Sequence, residues 1–207
     1  ARPPVLACVL DSYGDGRKAT DEMTGFVRRL GRNLGMEAWQ FPSKGGQGLI
    51  YTSTTPASRH IDRLPTDLFT LPKPAAIICG GSINDGNGTW NGTVGPAAVA
   101  LVAAIRAQWP GVPVAFVSPL AVLGVAGYQT MSDQIKAALA SAYPDVPYFD
   151  YVTNPLFSGT GKVGATNGSG ISDVAADADG VHPTQLGHDI IADAIAADLR
   201  GVWKLAA

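Results

Sequence analysis

The chain of 207 residues suits one domain around a single filled core, and a net charge of -2 gives no broad basic surface for nucleic acid or anionic membrane. Its composition, 46% hydrophobic and 15% charged, is that of an ordinary folded domain. No apolar run approaches the roughly 20 residues that span a bilayer.

The opening Ala1-Arg2-Pro3-Pro4 shows no secretory leader pattern and reads as a processed end or as a domain joined to a longer protein. Pro4 to Leu10 is a short apolar run, the signal of a buried strand. Arg17 to Leu34 carries Met23, Phe26, Val27, Leu30 and Leu34 at helical spacing, with Gly35 as a stop. Met36 to Phe41 reads as a second strand, and Ala75 to Cys79 as a third that ends at Gly80-Gly81. Ala97 to Trp109 is a helix closed by Pro110-Gly111, and Val112 to Val117 a fourth strand. Thr130 to Tyr143 is a helix, Val146 to Tyr151 a fifth strand, and Thr184 to Leu199 a last helix opened by Pro183.

Alternating strands and helices predict an α/β domain, a five-stranded parallel sheet covered on both faces. Two long stretches resist assignment. Pro42 to Pro74 holds at most a short helix near Ser58 to Leu64, and Asn154 to Asp179 is rich in Gly, Ser and Thr. Long irregular segments in a compact domain are often functional. Cys8 and Cys79 each fall inside a strand-like run and read as buried free thiols, although a disulfide stays open. The sequence decides no compartment, with an extracellular or exported setting the leaning.

In open parallel sheets ligands bind beyond the carboxyl ends of the strands. The segments found there are Asp11 to Gly16, Lys44 to Gly48, Gly81 to Gly86, and Asp179-Gly180-Val181-His182-Pro183 at the end of the last long loop. Together they supply a hydroxyl, backbone donors, a side-chain amide, a carboxylate and an imidazole, which are the parts for acyl transfer. A serine hydroxyl is a weak nucleophile and needs a base, for which His182 titrates in the right range. Asp179, three residues earlier, can reach back to the other imidazole nitrogen. The N–H groups of Ser12 and Gly46 and the side-chain amide of Asn84 are candidate donors to the oxyanion. No metal or other cofactor is called for.

These blocks resemble the SGNH hydrolases, also known as GDSL esterases and lipases. The likeness runs in order from Asp11-Ser12, with Gly16 four residues beyond, through Gly46 and Asn84 to the Asp-x-x-His of Asp179 to His182. It implies a flavodoxin-like three-layer α/β/α fold and metal-free hydrolysis of carboxylic esters. The implied roles are Ser12 as nucleophile, Asp179 and His182 as its partners, and Ser12, Gly46 and Asn84 as the oxyanion hole. Leu10 departs from the family, which has glycine there. Ser82 and Ile83 both stand between Gly81 and Asn84, where one residue is usual. The expected substrate is a small-molecule or polysaccharide ester carrying a short acyl group such as acetyl. A lipase, a thioesterase, or a carbohydrate-binding module that keeps the fold without turnover are the alternatives.

Other readings attach to the same residues. Asp11, Asp15, Gly16 and Glu22 match four positions of a calcium-binding EF-hand loop, but Tyr13 stands where a ligand is needed and a strand precedes instead of a helix. Tyr13 and Trp90 are candidates to shape a substrate pocket, or to pack. Asp11 and Asp85 read as loop-binding carboxylates. His188 reads as a helix-surface or packing residue on the last helix, whereas His60 stays open between lining the cleft and facing solvent. Asn87, Asn91 and Asn167 begin glycosylation sequons but read as Gly-rich loop residues.

Overall fold

The structure, a computed structural model, describes residues 2–41, 47–51, 59–86, 92–120, 126–156 and 182–203. Five parallel strands form one sheet: β1 (Val5–Val9), β2 (Glu37–Gln40), β3 (Ala76–Gly80), β4 (Val114–Val117) and β5 (Tyr148–Phe149). The helices are α1 (Phe26–Leu34), α2 (His60–Arg63), α3 (Val94–Gln108), α4 (Ala126–Ala142) and α5 (Gln185–Trp203). The strand order β2-β1-β3-β4-β5 is that of a flavodoxin-like sheet.

The strands β1, β3 and β4 are apolar on both faces because helices cover both. Leu6, Cys8 and Leu10, with Ile78, Ala115 and Val117, share a buried cluster with residues of α1 and α5. Ala7 and Val9, with Ile77, Cys79, Val114 and Phe116, share a second cluster with α3 and α4. This is the three-layer α/β/α arrangement. Cys8 and Cys79 therefore lie on opposite faces of the sheet, and both thiols are free and buried. Burial pushes the Cys8 thiol up to about 12 and Cys79 upward as well, so neither is a reactive thiolate. Among the described residues no helix is long and apolar enough to cross a membrane.

The structure corrects several boundaries. α1 begins at Phe26 instead of Arg17, and a 3-10 turn at Glu22–Thr24 precedes it. Residues 12–20 are wound into turns, with Gly16 at φ 79° and Lys18 at φ 69°, a conformation no helix can continue through. Met23 is 60% exposed and belongs to no core face. β5 shrinks to two residues at the sheet edge, where only β4 pairs with it. The short helix in the unassigned stretch is α2, which runs on into a single wide turn over Leu64–Leu68.

Gly31 sets the closeness of α1 to the sheet. A Cβ there would lie 2.7 Å from the Ala38 Cβ on β2. Gly35 ends the helix at φ 66°, the left-handed conformation glycine adopts without a Cβ penalty.

Candidate active site

The chain leaves β1 through Leu10 and enters a turn in which the Gly14 N–H donates to the Asp11 carbonyl at 2.9 Å. Ser12 and Tyr13 are its central residues. Asp11 Oδ1 accepts the Tyr13 N–H at 3.0 Å and locks the turn from within. The Asp11 carboxylate also reaches the loop after β3: Oδ2 accepts the Ile83 N–H at 3.2 Å and lies 3.0 Å from Ser82 Oγ. Burial pushes the Asp11 carboxyl up to about 6, against the lowering effect of these hydrogen bonds. All its described partners are protein donors of the two loops, which is a loop-binding role and not a calcium ligand's.

Ser12 Oγ lies 3.0 Å from His182 Nε2, a contact between residues 170 positions apart. Ser12 is buried and His182 half-buried. The Tyr13 ring, 1% exposed, packs obliquely on the His182 imidazole at 5.7 Å between centroids. Tyr13 thus packs in the core and against His182.

The start of α5 fixes where His182 stands. Thr184 Oγ1 accepts the Gly187 N–H at 3.3 Å and caps the helix. Gln185 Oε1 accepts the Thr20 N–H at 3.0 Å and the Thr24 hydroxyl at 2.7 Å, and its amide donates to the Thr24 carbonyl at 3.0 Å. His188, fully buried, places Nε2 2.9 Å from the Arg17 carbonyl and accepts the Phe26 N–H on Nδ1 at 3.4 Å. These bonds require the neutral ring, and burial lowers its pKa accordingly. The segment following Ser12 is thereby stitched to the helix following His182.

Three loops meet beside Ser12. Asn84, in the 3-10 turn Ile83–Gly86 after β3, donates from Nδ2 to the Gln47 carbonyl at 2.7 Å and to Ser82 Oγ at 3.0 Å. Asp85 holds the loop after β2 by accepting three backbone N–H groups, from Leu49 at 2.8 Å, Ile50 at 3.0 Å and Tyr51 at 2.9 Å. Burial still pushes its carboxyl pKa upward. Gln47 is held at its other end by Arg63, whose guanidinium donates to Oε1 at 2.9 Å and pairs with Asp67. His60 does not face solvent: it is 3% exposed and lines a small cavity with Leu10, Gln47 and Arg63.

Ser12, His182, Asn84 and Tyr13 are thus gathered at the carboxyl ends of β1 and β3, where the strand order reverses. Gly46, Asp179 and Trp90 lie outside the described residues, as do Asn87, Asn91 and Asn167. Sequence reasoning passed over Ser82, Gln47, Arg63 and Gln185. Ser82 and Gln47 sit inside segments already singled out, but a buried hydroxyl or a useful carbonyl has no sequence signature. Arg63 and Gln185 act across loops whose approach only the fold decides.

Solved structures share this fold. A family two carbohydrate esterase from Clostridium thermocellum, in complex with cellohexaose, superposes with a TM-score of 0.74 at 15% identity, over 100% of this chain and 67% of that one. A carbohydrate esterase family 2 enzyme from Corynascus thermopiles gives a TM-score of 0.73 at 17% identity, over 99% of this chain and 68% of that one. The M. smegmatis aryl esterase gives 0.64 at 18% identity, over 98% and 100%. No protein-family model and no curated protein sequence matches the chain. The chain shares the three-layer α/β/α fold of these esterases.

Proposed function

We propose that this chain is a serine esterase that hydrolyses carboxylic esters through an acyl-enzyme. The observation that carries the reading is the 3.0 Å contact between Ser12 Oγ and His182 Nε2. Nothing in packing requires a half-buried imidazole to meet a buried serine hydroxyl at the switch point of the sheet. The likeness to carbohydrate esterases and an aryl esterase adds support at the level of fold.

In this reading His182 Nε2 takes the Ser12 proton as Oγ attacks the ester carbonyl carbon. The tetrahedral oxyanion receives hydrogen bonds from the N–H groups of Ser12 and Gly46 and from the Asn84 amide. Collapse expels the alcohol, which takes the proton back from His182, and leaves Ser12 acylated. A water molecule, deprotonated by His182, then releases the acid and restores Ser12. Asp179 keeps the imidazole oriented and stabilises its cationic form. The substrate is a short acyl ester, such as an acetyl group, on a carbohydrate, in keeping with the polar and Gly-rich loops at this edge and with the two carbohydrate esterases of the same fold.

p-Nitrophenyl acetate turnover and fluorophosphonate labelling test the chemistry. Ser12→Ala should abolish labelling and lower kcat by about 10⁴-fold or more, and His182→Ala should do nearly the same. Equal rates in wild type and Ser12→Ala, with no labelled serine, would sink the proposal. Release of acetate from acetylated polysaccharides, set against longer acyl esters, tests the substrate class.

A further inference from the structure

Ser82 is fully buried, and its hydroxyl is the point where the loops after β1, β2 and β3 converge. Its Oγ accepts the Asn84 backbone N–H and the Asn84 side-chain amide, each at 3.0 Å. It also lies 2.7 Å from the Gln47 carbonyl and 3.0 Å from Asp11 Oδ2. A hydroxyl has one proton, so it donates to one of these two oxygens at a time. Gln47 O is in turn the other acceptor for Asn84 Nδ2.

The consequence concerns the Asn84 amide. Its two acceptors, Gln47 O at 2.7 Å and Ser82 Oγ at 3.0 Å, are themselves 2.7 Å apart. They therefore stand on one side of Nδ2, well inside the angle between its two N–H bonds, and share one amide proton. The other proton is left to an oxyanion, and the shared one fixes the plane of the amide. Tyr128 steadies the same turn from the far side, its hydroxyl donating to the Ile83 carbonyl at 3.1 Å.

We infer that Ser82 is a positioning residue for the oxyanion hole, sharing one Asn84 amide proton with Gln47 O and so fixing the amide plane that offers the other proton to the tetrahedral intermediate. The inference rests on the esterase reading and specifies how its third oxyanion donor is prepared. Preorganised donors are effective because they need no rearrangement as charge develops. Loss of Ser82 Oγ should therefore lower the rate of the chemical step and leave ground-state binding nearly unchanged.

A double-mutant cycle on p-nitrophenyl acetate tests this, with wild type, Ser82→Ala, Asn84→Ala and the pair, each checked for its thermal midpoint. Ser82→Ala should lower kcat by about threefold to tenfold, the worth of one hydrogen bond, with KM within about twofold of wild type. Inhibition by phenylboronic acid, whose tetrahedral adduct places an oxygen in the hole, should weaken in the same proportion. Asn84→Ala should cost about 10²–10³ in kcat. The double variant should then be no slower than Asn84→Ala, because Ser82 acts through that amide. Ser82→Thr, which keeps the hydroxyl, should recover part of the loss if its methyl group is accommodated, as its thermal midpoint reports. Additive losses in the pair, or an unchanged kcat and boronate affinity in Ser82→Ala, would overturn the inference while leaving the esterase reading intact. A wild-type protein without turnover or fluorophosphonate labelling overturns both.

Discussion

At Leu10, just before the turn that carries Ser12, a large side chain stands where the resemblance to the SGNH hydrolases leads one to expect glycine. The structure supplies its compensation one strand away. Leu10 is 5% exposed, and a Cβ on Gly80 would lie 2.5 Å from Leu10 Cδ2. The lack of a side chain at Gly80 on β3 leaves the room that the Leu10 side chain fills. Leu10→Ala should then destabilise the protein by about 2–5 kcal/mol through the cavity. Gly80→Ala should cost about 1–3 kcal/mol through overpacking. The pair Leu10→Ala with Gly80→Ala should cost clearly less than the two together, because the new methyl enters the space just vacated. Urea denaturation of the three variants measures this, and additive losses would contradict this fit. The departure at Leu10 was visible in the sequence, whereas its remedy was not. Gly80 reads there only as the end of a strand.

The elements differ in how far local residues announce them. α5 was legible because its start is encoded nearby, by Pro183 and by the Thr184 cap. The start of α1 was not legible. Gly25, its N-cap, offers no side chain, and the Phe26 N–H is instead accepted by His188 Nδ1, contributed from 162 positions away. No window of sequence around residue 26 contains that information. The loop after β2 is a similar case, since Asp85 on the other loop organises it. Gly48 is what lets that carboxylate approach, because a Cβ there would fall inside van der Waals contact with Asp85 Oδ1, Oδ2 and Cγ. Gly48→Ala should displace the carboxylate and release up to three N–H bonds, lowering stability by about 1–3 kcal/mol. It should also lower kcat on p-nitrophenyl acetate by about tenfold, a figure set by the loss of one to two hydrogen bonds' worth of order around Gln47. Chemical denaturation and steady-state kinetics on the same preparation separate the two effects. A stability loss without a kinetic one would detach this loop from the active site.

For the molecule as a whole, the same burial that builds the site sets two opposing dependences of stability on pH. His60 is driven down to about 4 by burial, with the Arg63 guanidinium acting in the same direction. As pH falls from 6.5 towards 4 the unfolded chain takes up a proton at this residue before the folded chain does, so stability is lost on acidification. His188, also lowered, acts with it. Asp11 does the reverse. Its carboxyl, raised from 3.8 to about 6, keeps its proton in the folded state after the unfolded state has released it. Stability is therefore lost as pH rises from about 4 to 6, and Asp85, also raised, adds to that loss. At about 1.4 kcal/mol per pKa unit, His60 and Asp11 each account for about 3 kcal/mol, with opposite sign over nearly the same interval. Their contributions offset one another in the wild type, and removing either should expose the other. Relative to wild type, His60→Gln should lose stability as pH rises from 4.5 to 6.5, and Asp11→Asn should gain it. Urea midpoints at the two pH values decide the matter. Variant and wild-type profiles that run parallel would mean that neither buried group titrates in the folded protein as its surroundings require.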